Sequence, residues 1–436
     1  MAISPFEERY KTEMNGVFDD LAKLRKWMAV EVALAKAHAS MGKIPKDAPA
    51  KIEAAAKKVK VERVLEIEAQ IHHDLMAMVK ALTEQAGDAG RYVHLGATSY
   101  DIEDTATALM FLDAIAILDK SLASLGDVLK RLAKEHKKTV CIGRTHGQHA
   151  VPTTYGMKFA LYYQELKRCR ERLAESKKRI AVGKMSGAVG TMATFGKDGP
   201  KIQEMAMDEL GLSAEPVANQ VVQRDRHAEV LSVLALGAAM MEKAAKEIRN
   251  LQRTEILEIS EGFEKKQVGS STMPHKRNPH KSERVCSLAR LVRANALTAL
   301  ENIALEHERD LTNSANERAI FGESFVAVDY MARQLTAILG SLVFYPENMK
   351  RNLELTRGLV MAERIMIYLV DTGKMGRQEA HELVRELSQQ AFSEKRHLKD
   401  VMVEKNVLSE KEAVELFDYS TYIGHAQSIV DSALKS

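Results

Sequence analysis

Between residues 225 and 260 the apolar positions recur at helical spacing: Leu234, Met241 and Ile248 lie seven apart, with Ala238 and Ala245 between them. Positions three, four and seven apart share one helix face, so this is the buried stripe of a helix in a bundle. Unbroken, the run makes one helix roughly 50 Å long at 1.5 Å per residue. Stretches 104–138, 154–184 and 282–307 carry the same pattern, and no strict strand-like alternation competes with it over any length. The nine prolines agree. They stand at 5, 45, 49, 152, 200, 216, 274, 279 and 346, leaving 50–151, 217–273, 280–345 and 347–436 free of helix breakers. The pattern predicts an all-α protein in three helical parts. A smaller N-terminal domain covers 1–92, with turns at 42–49 and 86–90; a central long-helix bundle covers 93–343; a charged helical C-terminal domain covers 344–436, after a break near 341–347.

Composition narrows the class. A chain of 436 residues exceeds one compact core of average size, so two or three domains are expected. Apolar residues make up 45% and aromatics only 5%, which favours helix over sheet. A net charge of +3, from 63 basic and 60 acidic residues, gives no support for a nucleic-acid or membrane partner, and none is expected; local basic clusters remain able to bind a small anion. Cys141, Cys169 and Cys286 are odd in number, widely spaced and without a CxxC, as for reduced thiols in the cytoplasm. The first residues lack a signal-peptide core, and the longest near-apolar run, 231–241, is too short for a bilayer. A soluble, cytoplasmic protein is expected.

The chemistry concentrates in a few polar segments. Residues 269–279 read Gly-Ser-Ser-Thr-Met-Pro-His-Lys-Arg-Asn-Pro. Pro274 and Pro279 bar helix, and Gly269 permits backbone angles that other residues avoid. Lys276 and Asn278 suit a carboxylate, one by charge and one by directed donors. Ser270 or Ser271 can exchange a proton where positive charge stabilises an alkoxide. His146, in Gly-Arg-Thr-His-Gly-Gln-His (143–149), is a candidate general acid or base in a polar turn between helices. A metal on His146 and His149 lacks a third ligand at suitable spacing, so none is expected. Gly96 with Thr98 and Ser99 reads as an anion-accepting helix start or simple cap. In His72-His73-Asp74 the aspartate can orient a histidine, although a solvated helix face explains the triplet equally well. Arg9-Tyr10, Arg284, Arg309 and Arg318 are basic candidates for a phosphate, and Ser314 shares a helix face with Arg318 if that segment is helical.

Taken in order, these segments resemble the fumarase/aspartase superfamily over essentially the whole length. The resemblance rests on Arg9-Tyr10, His73-Asp74, HLGATSYDIEDTA (94–106), GRTHGQHAVPTT (143–154), SGAVGT (186–191), NQVVQRDRH (219–227), GSSTMPHKRNPHKSERVCSLAR (269–290) and ERDLTNSANER (308–318). The 269–279 loop matches the superfamily signature. Arg9-Tyr10, His73-Asp74 and SANER favour the branch that handles purine nucleotides. A carboxymuconate-lactonizing relative carries a very similar loop; argininosuccinate-type lyases and a non-enzymatic structural derivative are the other readings.

The resemblance implies elimination of fumarate from adenylosuccinate, giving AMP, and from the succinyl-carboxamide ribotide SAICAR, giving AICAR. It implies Ser270 as base, His146 as acid, Lys276 and Asn278 on the carboxylate, and His73 in support. Arg9, Tyr10, Ser314 and Arg318 would face the nucleotide phosphate and its surroundings. Thr98, Ser99 and Gln220 would face the succinyl and base portions, with Arg284, Arg309, Asp74 and His72 as further substrate contacts. His72 stands where many members carry arginine, and Thr272 where they often carry alanine. No cofactor is implied. The implied assembly is a homotetramer with a twenty-helix core, each active site shared between subunits. The segments near 98, 146 and 270 are separated by long helices, which gives an independent reason to expect that different chains supply them.

Overall fold

The computed structural model describes residues 4–263 and 269–435. Seventeen helices account for most of these residues, and the strands are short. In chain order they are α1 (Asn15–Phe18), α2 (Asp20–Ser40), α3 (Ala48–Ala56), α4 (Val61–Ile71), α5 (Asp74–Ala86), α6 (Ser99–Glu135), α7 (Tyr155–Ile180), α8 (Gly199–Leu210), α9 (Asp225–Leu251), α10 (His280–Glu301) and α11 (Ser314–Gly340). The C-terminal set is α12 (Pro346–Glu354), α13 (Ala362–Asp371), α14 (Arg377–Ser393), α15 (Leu398–Glu404), α16 (Glu410–Leu416) and α17 (Ala426–Ala433). Pro49, Pro200 and Pro346 sit in the first turns of α3, α8 and α12, where the missing N–H costs nothing. Gly211, left-handed at φ 68°, closes α8. Among the described residues no helix is long and apolar enough to cross a membrane.

The chain divides into two compact units. One comprises 1–123, 168–241 and 286–333; the other comprises 124–167, 242–285 and 334–436. The division falls within α6, α7, α9, α10 and α11, each of which gives a segment to either unit.

In the first unit, α2, α3, α5 and α8 enclose a core that includes Trp27, Leu34, Ile52, Leu75, Met78, Leu82, Ile102, Phe195 and Ile202. Segments of the five long helices also meet there. Phe111 of α6 lies edge-on to Phe321 and Phe325 of α11, at 5.0 and 5.2 Å, and His227 of α9 stacks on Phe321 at 5.4 Å. Arg170 of α7 pairs with Asp119 of α6 at 2.7 Å, and Asn295 of α10 donates to Ser324 of α11 at 3.1 Å.

The second unit packs α12–α16 around Leu353, Ile365, Leu369, Val384, Leu398 and Met402, with Ile142 joining them. Lys158 and Glu165 of α7 pair with Glu247 and Lys243 of α9.

Two features depart from the periodicity. The helix expected to reach Ser260 stops at Leu251. Side chains of α12 capture the carbonyls that further helix would need: Arg351 donates to Glu255 and Ile256, Asn352 to Ile256, and Asn348 to Leu257. Leu257 is left-handed at φ 42°, and Ile259–Ser260 pairs antiparallel with Val343–Phe344. Tertiary hydrogen bonds win here over local preference. The turn expected at 143–149 is a β-hairpin: β1 (Val140–Thr145) pairs antiparallel with β2 (Gln148–Thr154), with an irregularity between Ile142 and Arg144. Gly143 permits it, since a Cβ there would stand 2.8 Å from the Val151 carbonyl. Glycine and proline broke the alternation that would have announced these strands.

Gly156 opens α7 against the end of α6: a Cβ would stand 2.5 Å from Lys137 Cα and 2.7 Å from the Ala133 carbonyl. Gly156→Ala is therefore expected to cost roughly 1–3 kcal/mol of stability. A lowered urea midpoint at unchanged slope is the expected result; an unchanged midpoint contradicts the close approach.

Candidate active site

Within the first unit, the polar motifs converge on the first turns of α6. Thr98 and Ser99 are half-buried at its start, and the Asp101 carboxylate accepts the Thr98 N–H at 2.9 Å. The same carboxylate accepts N–H groups from Ser186 at 2.9 Å and Gly187 at 3.0 Å, and pairs with fully buried Lys184. It thereby ties the 186–191 loop to the 94–99 loop. One turn on, Asp104 accepts the Val222 N–H at 2.7 Å and pairs with Arg224 at 2.8 Å. Arg224 continues to Glu317 on α11, 3.1 Å away, and Asn313 donates to Glu317. Farther back, buried Glu31 holds His94, which is left-handed at φ 61°, through its N–H at 2.9 Å and Nδ1 at 2.6 Å. Burial opposes charge on His94, but the Glu31 contact outweighs it and raises the pKa.

Several predicted residues meet on this frame. Gln220 donates to the Ala188 carbonyl at 3.2 Å and accepts from Arg309 Nη1 at 3.0 Å. The Arg309 guanidinium lies 3.5 Å above the centre of the Tyr100 ring. Its Nε and Nη2 are buried without a hydrogen-bond partner among the described residues, so two directed donors remain unspent. Ser314 and Arg318 do share a face of helix α11, and both line a cavity of about 360 Å³ with Tyr100, Glu103 and Arg224. Arg318 pairs with Asp74 at 2.6 Å.

The Asp74 pairing corrects one expectation. Asp74 serves Arg318 and the Leu75 N–H, while His73 lies 3.7 Å from it and caps α5 by accepting from Met76. His72 is the left-handed C-cap of α4, with φ 56°. The triplet is thus a helix–helix corner with His72 and His73 exposed, and its aspartate does not orient the histidine. Arg9 is exposed, and Tyr10 packs on Tyr330 at 5.1 Å. Tyr330 stands about 18 Å farther along α11 than Arg318, at 1.5 Å per residue.

The second unit carries the other predicted groups. His146 and Gly147 form the two-residue tip of the β1–β2 hairpin, with φ 54° and 75°. Two positive φ values are the mark of a type I′ turn, whose twist matches its strands, so exposed His146 sits on a short, stiff support. Beneath it, Arg144 pairs with buried Glu258 at 2.6 Å.

The signature loop closes on itself. Asn278 Nδ2 donates to the Gly269 carbonyl at 3.1 Å, and Ser270 Oγ accepts N–H groups from Met273 at 3.1 Å and Thr272 at 3.3 Å. A Cβ on Gly269 would lie 2.2 Å from the Lys276 carbonyl, so only glycine fits that neck. Ser270 and Asn278 are half-buried, whereas Ser271 and Lys276 are exposed. Arg284 lies on α10, which the loop enters through Pro279. Among the described residues, no hydrogen bond joins this loop to His146.

The frame residues Asp101, Asp104, Arg224 and Glu258 escaped the sequence reading. An acidic residue in the first turn of α6 was the available signal for Asp101, and Asp104 follows it three residues on. Nothing local marks Glu258.

A family model described as Lyase matches residues 8–293, and one described as Adenylosuccinate lyase C-terminus matches 358–433. The chain is 54% identical to the adenylosuccinate lyase of Pyrococcus abyssi, with 100% of this chain and 98% of the relative covered. It is 49% identical to the adenylosuccinate lyase of Methanocaldococcus jannaschii, covering 100% and 96%. Among solved structures, a fumarate lyase from Mesorhizobium sp. BNC1 superposes with a TM-score of 0.90 at 32% identity, covering 97% of each chain. The 3-carboxy-cis,cis-muconate lactonizing enzyme of Pseudomonas putida gives 0.90 at 34% identity, covering 99% and 98%.

Glu103, lining the cavity, is pushed up to about 8 by burial and by the neighbouring Asp74 and Asp104 charges. An unfolded glutamate titrates near about 4.3, so between about pH 4.5 and 8 the folded state keeps a proton that the unfolded state has lost. Stability from this group falls as pH rises through that window and is flat above it. Glu103→Gln is expected to gain thermal stability relative to the parent at pH 8.5 compared with pH 5. An equal difference at both pH values contradicts the burial.

Proposed function

This chain belongs to the adenylosuccinate lyase family of enzymes, and from that premise we propose that it eliminates fumarate from adenylosuccinate to leave AMP, and from SAICAR to leave AICAR. The observation that carries the reading on geometric grounds is Arg309. Gln220 holds the Arg309 guanidinium against the Tyr100 ring, beside the cavity that Tyr100, Ser314 and Arg318 line. Such a cluster suits an anionic ligand with several oxygens.

The chemical difficulty is a proton on carbon beside a carboxylate. In the proposed course Ser270 takes that proton, and the electron pair moves onto the carboxylate as an aci-carboxylate. Lys276 and Asn278 hold the two negative oxygens, which lowers the barrier by fixed charge and directed donors. The pair then returns to form the fumarate double bond as the carbon–nitrogen bond breaks, and His146 protonates the departing nitrogen. Serine is a weak base by its ordinary acidity, so Lys276 must lie close enough to stabilise the alkoxide. Release of the Thr272 and Met273 N–H groups from Ser270 Oγ, or their retention as donors to the alkoxide, would accompany closure of the loop over substrate. His73 would support the site, while Arg9, Tyr10, Ser314 and Arg318 would receive the phosphate. Arg284, His72, Asp74, Thr98, Ser99 and Gln220 complete the proposed substrate contacts.

The proposed assembly is a homotetramer. Support comes from apolar side chains left exposed on the long helices, including Leu236, Leu297 and Leu300. A cytoplasmic location fits a purine-nucleotide enzyme whose three cysteines are buried and form no disulfide among the described residues.

Incubation with adenylosuccinate should release fumarate and AMP in equal amounts, followed by absorbance and by enzymatic detection of fumarate. A lactonizing reaction is a cyclisation and frees no fumarate, so turnover of carboxymuconate without turnover of adenylosuccinate would overturn the assignment. Ser270→Ala is expected to lower kcat at least about 100-fold, within the range for loss of a general base. Near-normal turnover would remove Ser270 from that role.

A further inference from the structure

We propose that the buried Arg144–Glu258 pair is a positioning device for His146, setting the direction from which the hairpin tip delivers its proton. The inference rests on the reading of His146 as the acid.

Glu258 is fully buried, yet its carboxylate collects three side-chain donors from three elements. Arg144 of β1 donates at 2.6 Å, the Tyr155 hydroxyl of α7 at 2.8 Å, and Asn352 of α12 at 2.9 Å. Its backbone is also fixed at both ends, with its N–H on the Leu251 carbonyl at 3.0 Å and its carbonyl accepting from Tyr345 at 2.9 Å. A carboxylate held this way has no freedom to follow the hairpin, so the hairpin must follow it. Arg144 is two residues from His146, and its cross-strand partner His149 is two residues beyond Gly147. A two-residue type I′ turn offers no slack between them. Any rotation at Arg144 is passed to His146.

Stability alone does not call for a charged pair here. A buried ion pair gains little over well-packed apolar side chains, because desolvation offsets its attraction. What the pair adds is attachment to a fixed point: Arg144 Nη2 reaches Glu258 Oε1, which Asn352 also holds, while Tyr155 holds Oε2, so the carboxylate cannot turn to follow the strand. Supporting groups of this kind, which touch a reacting residue only through its neighbours, commonly decide whether a site is productive.

The test uses the full-length protein with adenylosuccinate and four variants: His146→Gln, Glu258→Gln, Arg144→Lys and Tyr155→Phe. Glu258→Gln and Arg144→Lys are expected to lower kcat about 10- to 100-fold, the scale of a misplacement near 1 Å. KM should stay within about twofold, because the substrate contacts on α6 and α11 are untouched. Tyr155→Phe, which leaves Arg144 paired, should lose less than Arg144→Lys. If Glu258→Gln does not fold, Arg144→Lys carries the test, since it keeps a cation but not the planar guanidinium whose Nη2 meets Glu258 Oε1. Loss in His146→Gln together with parental kcat in both Glu258→Gln and Arg144→Lys overturns the positioning role alone. A fall that only tracks the folded fraction by near-UV circular dichroism overturns it as well. Parental kcat in His146→Gln overturns the acid reading itself.

Discussion

Asp101 and Asp104 sit one turn apart at the beginning of α6, and between them they hold the loops that carry the first unit's candidate contacts. Asp101 gathers the N–H groups of Thr98, Ser186 and Gly187 around one carboxylate, with buried Lys184 as counter-ion. Asp104 gathers Val222 and Arg224, and through Arg224 reaches Glu317. Asp101 lies in the first turn, where the helix dipole favours negative charge. Removal of one member of a buried pair leaves its partner charged and uncompensated, at a cost of roughly 3–5 kcal/mol. These interactions give the loops 94–99, 186–191, 219–224 and the start of α11 a common anchor. Gln220 and Arg309 can then stand at hydrogen-bond distance although they lie far apart in sequence.

The second unit solves the same problem with different means. A stiff hairpin presents His146, and a glycine neck closed by Asn278 presents Ser270. Neither relies on a long side-chain network at its tip. Both stand on short backbone supports whose geometry tolerates little substitution: positive φ at His146 and Gly147, and no room for a Cβ at Gly269. Stiff tips of this kind suit the proposed site built from several chains, because each is shaped before its partner arrives.

Much of the fold was legible because helix periodicity survives in single sequences. The long helices appear where the apolar stripes and proline gaps place them, and the turns near 42–49 and 86–90 fall between helices as expected. The α9 terminus was not legible, since it is decided by Arg351, Asn348 and Asn352 about a hundred residues away. The hairpin was masked by Gly143 and Pro152. Of the candidate site, Arg309 meets Gln220 in the first unit, and Ser314 and Arg318 line one cavity there. Asp74 proved to be the partner of Arg318, a pairing across more than two hundred residues that no local pattern carries. The same holds for Glu258, one of three glutamates spaced three apart (255, 258, 261) in the sequence and the acceptor for three side-chain donors in the structure.

The central claim is that a working site draws His146 and Ser270 from different copies of the chain. It is tested most directly by mixing two inactive variants, His146→Gln and Ser270→Ala, under conditions that let subunits exchange. Shared sites predict that activity on adenylosuccinate returns in the mixture, to roughly a quarter of the parental value for random assortment when the two groups come from different subunits. Two variants that stay inactive when mixed, while shown by mass to form mixed oligomers, would contradict it.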